Sequence, residues 1–141
     1  MAAEDLELQA LDWILIVDDE FDIVTIVRQW LEKQGFLAFG FTDPSLALEH
    51  FRINSKQYSL VVSDVRMPEI NGYEFIKKVK EIKPDVIVFF MTAFEINDIE
   101  FRKVLPSVKI DEFIQKPISM DYITTQIKKY IKTGIKAKQF K

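Results

Sequence analysis

The chain has 141 residues, enough for one well-packed domain and too few for two. Hydrophobic residues at 48% and charged residues at 29% exclude a disordered chain, and a net charge of −3 argues against a dedicated nucleic-acid binder. Cysteine is absent, which excludes a disulfide scaffold and a thiolate metal site, and no apolar stretch approaches the roughly 18–20 residues that span a bilayer.

The opening segment 1–12, "MAAEDLELQALD", is acidic and lacks the basic start and apolar centre of a signal peptide. It reads as an N-terminal extension of a cytoplasmic protein. The first strand is expected at 13–17 ("WILIV"), followed by a helix over 20–35. That helix stacks Val24, Val27 and Leu31 on one stripe, flanked by Ile23, Ile26 and Trp30, and stops at Gly35. A second strand, 36–41 ("FLAFGF"), leads to a helix over 43–51 with Asp43 as N-cap and Pro44 at its first position. His50 lies on that helix as a lone histidine without partners, so a structural role at or near the surface outweighs metal binding or catalysis.

The third strand is expected at 58–62 ("YSLVV") and the helix after it at 72–85, with Phe75, Ile76, Val79 and Ile82 inward and Pro84 closing it. A fourth strand at 86–91 ("VIVFFM") precedes a weaker helix at 94–105. A fifth strand at 111–115 ("DEFIQ") precedes a last helix at 119–132, with Tyr122, Ile123, Ile127, Tyr130 and Ile131 at helical spacing. Residues 133–141 form a basic polar tail. Strands 1, 3 and 4 are apolar throughout, as strands buried on both faces are. Strict β-α alternation then implies a doubly wound five-stranded parallel α/β sheet with helices on both faces, in a domain over 13–132.

In such a sheet functional groups gather at the carboxyl ends of the strands. Strand 1 ends in Asp18 and Asp19, strand 3 in Asp64 and strand 4 in Thr92, while strand 5 runs into Lys116–Pro117. Crowded carboxylates raise one another's pKa unless a cation joins them, and a hard ion such as Mg²⁺ suits an all-oxygen set that keeps room for phosphate. A carboxylate beside a lysine and a hydroxyl is equipped to take a phosphoryl group.

The blocks "VDDE", "SDVRMP…G", "MTAF" and "FIQKP", in this order and on these strand ends, resemble the receiver domain of two-component response regulators. The resemblance spans residues 13 to about 132 and implies a flavodoxin-like sheet of order 2-1-3-4-5. It implies that Asp64 accepts phosphate from a histidine kinase or phosphotransfer protein. It also implies that Mg²⁺ is held by Asp18, Asp19, Asp64 and the backbone carbonyl of Arg66. Thr92 and Lys116 would hold the phosphoryl oxygens, with Phe113 as an aromatic that moves with Thr92. The Lys116–Pro117 bond would be cis, and Pro68 and Gly72 would shape the loop bordering the pocket. Output would pass to a downstream effector protein or to an output domain outside this chain, with no direct nucleic-acid or membrane binding.

The chain departs from that pattern between the fourth helix and fifth strand, where "VLPSVKIDEF" replaces a small Gly-Ala step. The resemblance implies that Arg66 and Phe94, each two residues beyond a site residue, flank the route by which water reaches the phosphoryl group. A long cation and a bulky ring there are expected to slow hydrolysis. Two other readings compete with a non-enzymatic switch. One is a magnesium-dependent phosphohydrolase with an aspartyl nucleophile, although Arg66 stands where such enzymes commonly place a second acid. The other is a scaffold that works without phosphate. Asp18 and Asp19 could merely cap the helix that follows them, and the basic end of the chain could simply complement a helix dipole.

Overall fold

The structure, a computed structural model, describes residues 12–67, 70–93 and 108–131. Its elements are β1 (Trp13–Val17), α1 (Phe21–Lys33), β2 (Leu37–Phe41), α2 (Pro44–Ile53), β3 (Tyr58–Asp64), α3 (Gly72–Ile82), β4 (Ile87–Thr92), β5 (Glu112–Gln115) and α4 (Met120–Tyr130). All four strand pairings are parallel, and the sheet order is β2-β1-β3-β4-β5. The helix expected over 94–105, residues 1–11 of the extension and the basic tail lie outside the described residues, as do Pro68 and Phe94.

Local chemistry sets the helix ends. Asp43 accepts from the Ser45 amide with Pro44 beside it, Asn71 accepts from Glu74, and Ser119 accepts from Tyr122, so each side chain satisfies an amide of the first turn. α1 ends in a Schellman motif: Phe36 N–H donates to Leu31 O, Gly35 N–H donates to Glu32 O, and Gly35 takes φ 94°.

Each strand divides its side chains between two cores. Ile14, Ile16, Leu60, Val62, Phe89 and Met91 face α1 and α4, where Val27, Leu31, Ile123 and Ile127 meet them. Leu15, Val17, Val61, Val88 and Phe90 face α2 and α3, against Phe51, Phe75, Ile76 and Val79. Phe51, Phe75, Phe89 and Phe90 are fully buried, each worth about 1.5–3 kcal/mol of transfer free energy. The expected stripes hold with three exceptions: Ile26, Tyr122 and Tyr130 are each roughly half exposed.

Two strands extend beyond the apolar runs that mark them. β3 runs through Asp64 and β4 through Thr92, and both end residues are buried. Backbone bonds continue past the ladder: Val65 N–H donates to Met91 O at 3.1 Å and Lys116 N–H to Thr92 O at 2.7 Å. The carboxyl rim is therefore tied by the sheet itself.

Candidate functional site

Three carboxylates meet at that rim. Asp18, Asp19 and Asp64 each offer an oxygen, and these oxygens lie within 4.8 Å of one another. Asp18 is fully buried and Asp64 nearly so, whereas Asp19 is exposed. Asp18 follows the last residue of β1, and its own amide still donates to Phe41 O. Its Oδ1 accepts from the Glu20 amide at 2.8 Å, so it does steady the start of α1. That leaves Oδ2 for other work.

Lys116 answers the acids. Its Nζ stands 2.7 Å from Asp18 Oδ2, 3.6 Å from Asp64 Oδ1 and 3.8 Å from Glu20 Oε1, with the side chain only 11% exposed. Buried Asp18 Oδ2 therefore has the Lys116 ammonium as its close ion-pair partner. Three carboxylates whose oxygens lie within 4.8 Å of one another, sharing one lysine, are an all-oxygen donor set that a hard divalent cation fits.

Charge states follow from this crowding. Burial raises the pKa of Asp18, although Lys116 and the Glu20 amide pull it back. Asp64 is pushed up to about 6, by burial first and then by the charges of Asp18 and Asp19, against the opposing pull of Lys116 and the Val65 amide. Burial works against the Lys116 ammonium, but Asp18, Asp64 and Glu20 outweigh it and the net shift is upward. Three acids and one cation are electrostatically incomplete.

Thr92 is buried at the end of β4 and pairs in register with Gln115 of β5, whose Nε2 donates to Thr92 O at 3.1 Å. The Lys116–Pro117 peptide is cis. Phe113 is half-buried beside Phe90, ring centroids 6.3 Å apart. Arg66 lies exposed on the loop after β3, and Met67 beside it is buried. Gly72 packs directly on the backbone of Asp64 and Val65: its N–H donates to Val65 O at 2.8 Å, and a Cβ there would lie 2.3 Å from Asp64 O. Only glycine permits that approach.

The reading of His50 needs correction. It does have a partner: Nδ1 lies 2.7 Å from Tyr58 Oη, and the ring packs against Phe39, Phe41 and Trp13. Tyr58 is eight residues on and reaches His50 only through the fold. No helix among the described residues is long and apolar enough to cross a membrane.

A parallel sheet of order 2-1-3-4-5 with buried acids, a threonine and a lysine on its carboxyl rim defines a flavodoxin-like α/β domain with a charged site at the strand ends. Comparison with known proteins narrows the class. The family description "Response regulator receiver domain" matches residues 14–128, and the chain belongs to that family, whose members act in two-component signalling. Response regulator SaeR of Staphylococcus aureus is 31% identical over 125 residues, covering 83% of this chain and 52% of that protein. The chain thus spans about half the length of the curated relatives it matches. Among solved structures, chemotaxis protein CheY4 of Vibrio cholerae superposes with a TM-score of 0.77 at 22% identity, over 86% of this chain and 100% of that one. TrrA of Thermotoga maritima, solved in complex with Mg²⁺–BeF, gives 0.72 at 29% identity over the same shares.

Proposed function

We propose that Asp64 is the phosphoacceptor of a single receiver domain over 13–132, flanked by an extension at 1–12 and a basic tail at 133–141. The donor is a phosphohistidine on a histidine kinase or phosphotransfer protein, charged from ATP in the cytoplasm. Asp18, Asp19, Asp64 and the Arg66 carbonyl are the groups that would hold Mg²⁺. When bound, the ion offsets carboxylate repulsion and the negative charge on the transferred phosphoryl oxygens. The observation that carries the reading is Lys116 Nζ, 2.7 Å from Asp18 Oδ2 and 3.6 Å from Asp64 Oδ1.

The chain's own groups divide the work. An Asp64 carboxylate oxygen attacks phosphorus as the donor's P–N bond breaks and its imidazole departs. β3 aims that oxygen, and Gly72 holds the backbone behind it. Lys116 exchanges part of its attraction to Asp18 for the phosphoryl oxygens, and the Thr92 hydroxyl donates to another of them. Asp64 must be ionised to attack; its pKa is about 6 in the metal-free site and bound Mg²⁺ would lower it, so labelling falls at an acid pH below about 6. Phe113 packs against Phe90 and moves with Thr92, which carries the event to the face that meets a downstream effector or output domain. Arg66 and Phe94 slow the approach of hydrolytic water and lengthen the life of the phosphorylated state.

A small-molecule phosphodonor with Mg²⁺ tests this directly. Wild-type protein should take up one phosphoryl group per chain, and Asp64→Ala none. Thr92→Ala should be labelled yet show a weakened change in its amide NMR spectrum. Many turnovers per chain would instead indicate a phosphohydrolase, and full signalling by Asp64→Asn would indicate a scaffold.

A further inference from the structure

The two edges of the sheet are protected very differently. β5 has four residues, begins at Glu112 and follows the charged pair Lys109 and Asp111. Short length and charge are the usual defences of an exposed edge. β2, "LAFGF", has no charge, no proline and an unbroken register with β1. Asp18 N–H donates to Phe41 O, so Phe41, and by alternation Phe39 and Leu37, direct their backbone groups to β1. Ala38 and Gly40 therefore direct theirs outward, and among the described residues no strand pairs with them.

A groove of about 560 Å³ runs along this edge, lined by β2 and by Arg28 and Glu32 of α1. The two charges are ordered along it. Arg28 lies over Gly40, where a Cβ would sit 3.6 Å from its Cδ. α1 runs against the strand direction, so Glu32, one turn on, lies towards the Phe36 end. Both side chains are substantially exposed, 37% and 48%, and they pair with each other within the helix.

We propose that this edge docks the same edge of a second copy of this chain, antiparallel, about a two-fold axis at Phe39. Ala38 of each copy then faces Gly40 of the other as a hydrogen-bonded pair, and the two Phe39 residues meet as a close cross-strand aromatic pair. The axis also reverses the charge order, setting Arg28 of each copy opposite Glu32 of the other. A self-complementary patch is what a closed two-fold interface requires. A strand supplied by another protein would need opposite charges at matching spacing, whereas a second copy carries them already. The inference does not rest on phosphorylation of Asp64.

Sedimentation at about 100 μM, above the μM dissociation constants of modest interfaces, should give wild type twice the 16.5 kDa chain mass. Arg28→Glu should be monomeric, because its interface gathers only acids, and Glu32→Arg should be monomeric because its interface gathers only bases. Mixing these two folded variants should restore the dimer as a heterodimer. Ala38→Pro, which removes an outward N–H that the monomer does not use, should also abolish it. A monomeric wild type would overturn the proposal, including one that takes up an extended peptide from another protein. A dimer indifferent to all three substitutions, or two variants that stay apart when mixed, would overturn it equally.

Discussion

The two ends of the sheet are built on opposite principles. At the amino end, polar groups are mostly satisfied. Lys83 Nζ donates to Ser55 O and Tyr58 O, Lys80 Nζ donates to Val86 O, and His50 meets Tyr58 within a ring cluster. The Trp13 indole N–H is the exception, buried without a partner. At the carboxyl end, Asp18, Asp19 and Asp64 crowd around Lys116, and burial and the neighbouring acids push the pKa of Asp64 up to about 6. One end stabilises the fold and the other works against it. Local conflict of that kind, held in place by a rigid sheet, marks where ligand chemistry happens.

The largest break in this contrast comes from Gly72. A Cβ there would lie 2.3 Å from Asp64 O and 2.9 Å from Val65 Cα and O, all backbone that cannot rotate away. Gly72→Val should cost about 3 kcal/mol or more, a fall of about 10 °C in melting temperature. Displacing the acceptor backbone should also cut labelling of Asp64 in whatever protein remains folded. A thermal melt paired with a labelling assay separates the two effects.

A subtler test is to remove the repulsion. Asp64 has a folded pKa of about 6 against 3.8 for the free side chain, so the folded state holds its proton longer than the unfolded one. Stability therefore declines as pH rises from about 4 to about 6, by at most about 3 kcal/mol in the metal-free protein. Asp64→Asn should raise stability at pH 7.5 by about 1–3 kcal/mol and leave it unchanged below pH 4. Added Mg²⁺ should raise the melting temperature of wild type at pH 7.5 and do little at pH 5, where Asp64 is largely protonated. Denaturant melts across that range would show a flat profile if neither burial nor the neighbouring acids raised the Asp64 pKa.

Much of this was legible in the chain, for physical reasons. Continuous apolar runs and helix-period stripes disclose a doubly covered parallel sheet, and Asp43, Pro44 and Gly35 mark helix ends by chemistry that acts within a few residues. Asp18, Asp64 and Lys116 are far apart in sequence, but a parallel sheet brings strand ends together whatever the loops between them. Contacts that depend on an irregularity were not legible. The β1–β3 register shifts between Trp13 and Ile14, so Ser59 is passed over. That slip turns Tyr58 to the α2 side, although Leu60, two residues on, faces α1 and α4. No alternation rule reveals it, and the partner of His50 is hidden as a result. The buried polar pair Trp30–Thr124, at 2.7 Å, escaped for a similar reason: the hydroxyl matters only once α1 and α4 pack.

The smallest expected effect sharpens the contrast from the amino end. Burial pushes the Tyr58 hydroxyl well above its ordinary pKa, so it stays protonated and hydrogen-bonded to Nδ1 of His50. Burial also lowers the pKa of His50 below 6.5. The sign is opposite to that of Asp64. The unfolded chain binds a proton first, so the contribution is fully present above pH 6.5 and is lost as pH falls through the folded pKa. Tyr58→Phe deletes the hydroxyl and leaves a ring nitrogen short of a partner, which should cost about 1 kcal/mol at pH 7.5. His50→Phe should flatten the acid side of the stability profile while leaving the Asp64-dependent decline intact. Because the two groups share one hydrogen bond, the double variant should cost less than the two single variants together, by about 0.5 kcal/mol or more. Strict additivity would mean that the aromatic packing alone, and not the bond between His50 and Tyr58, secures this end of the sheet.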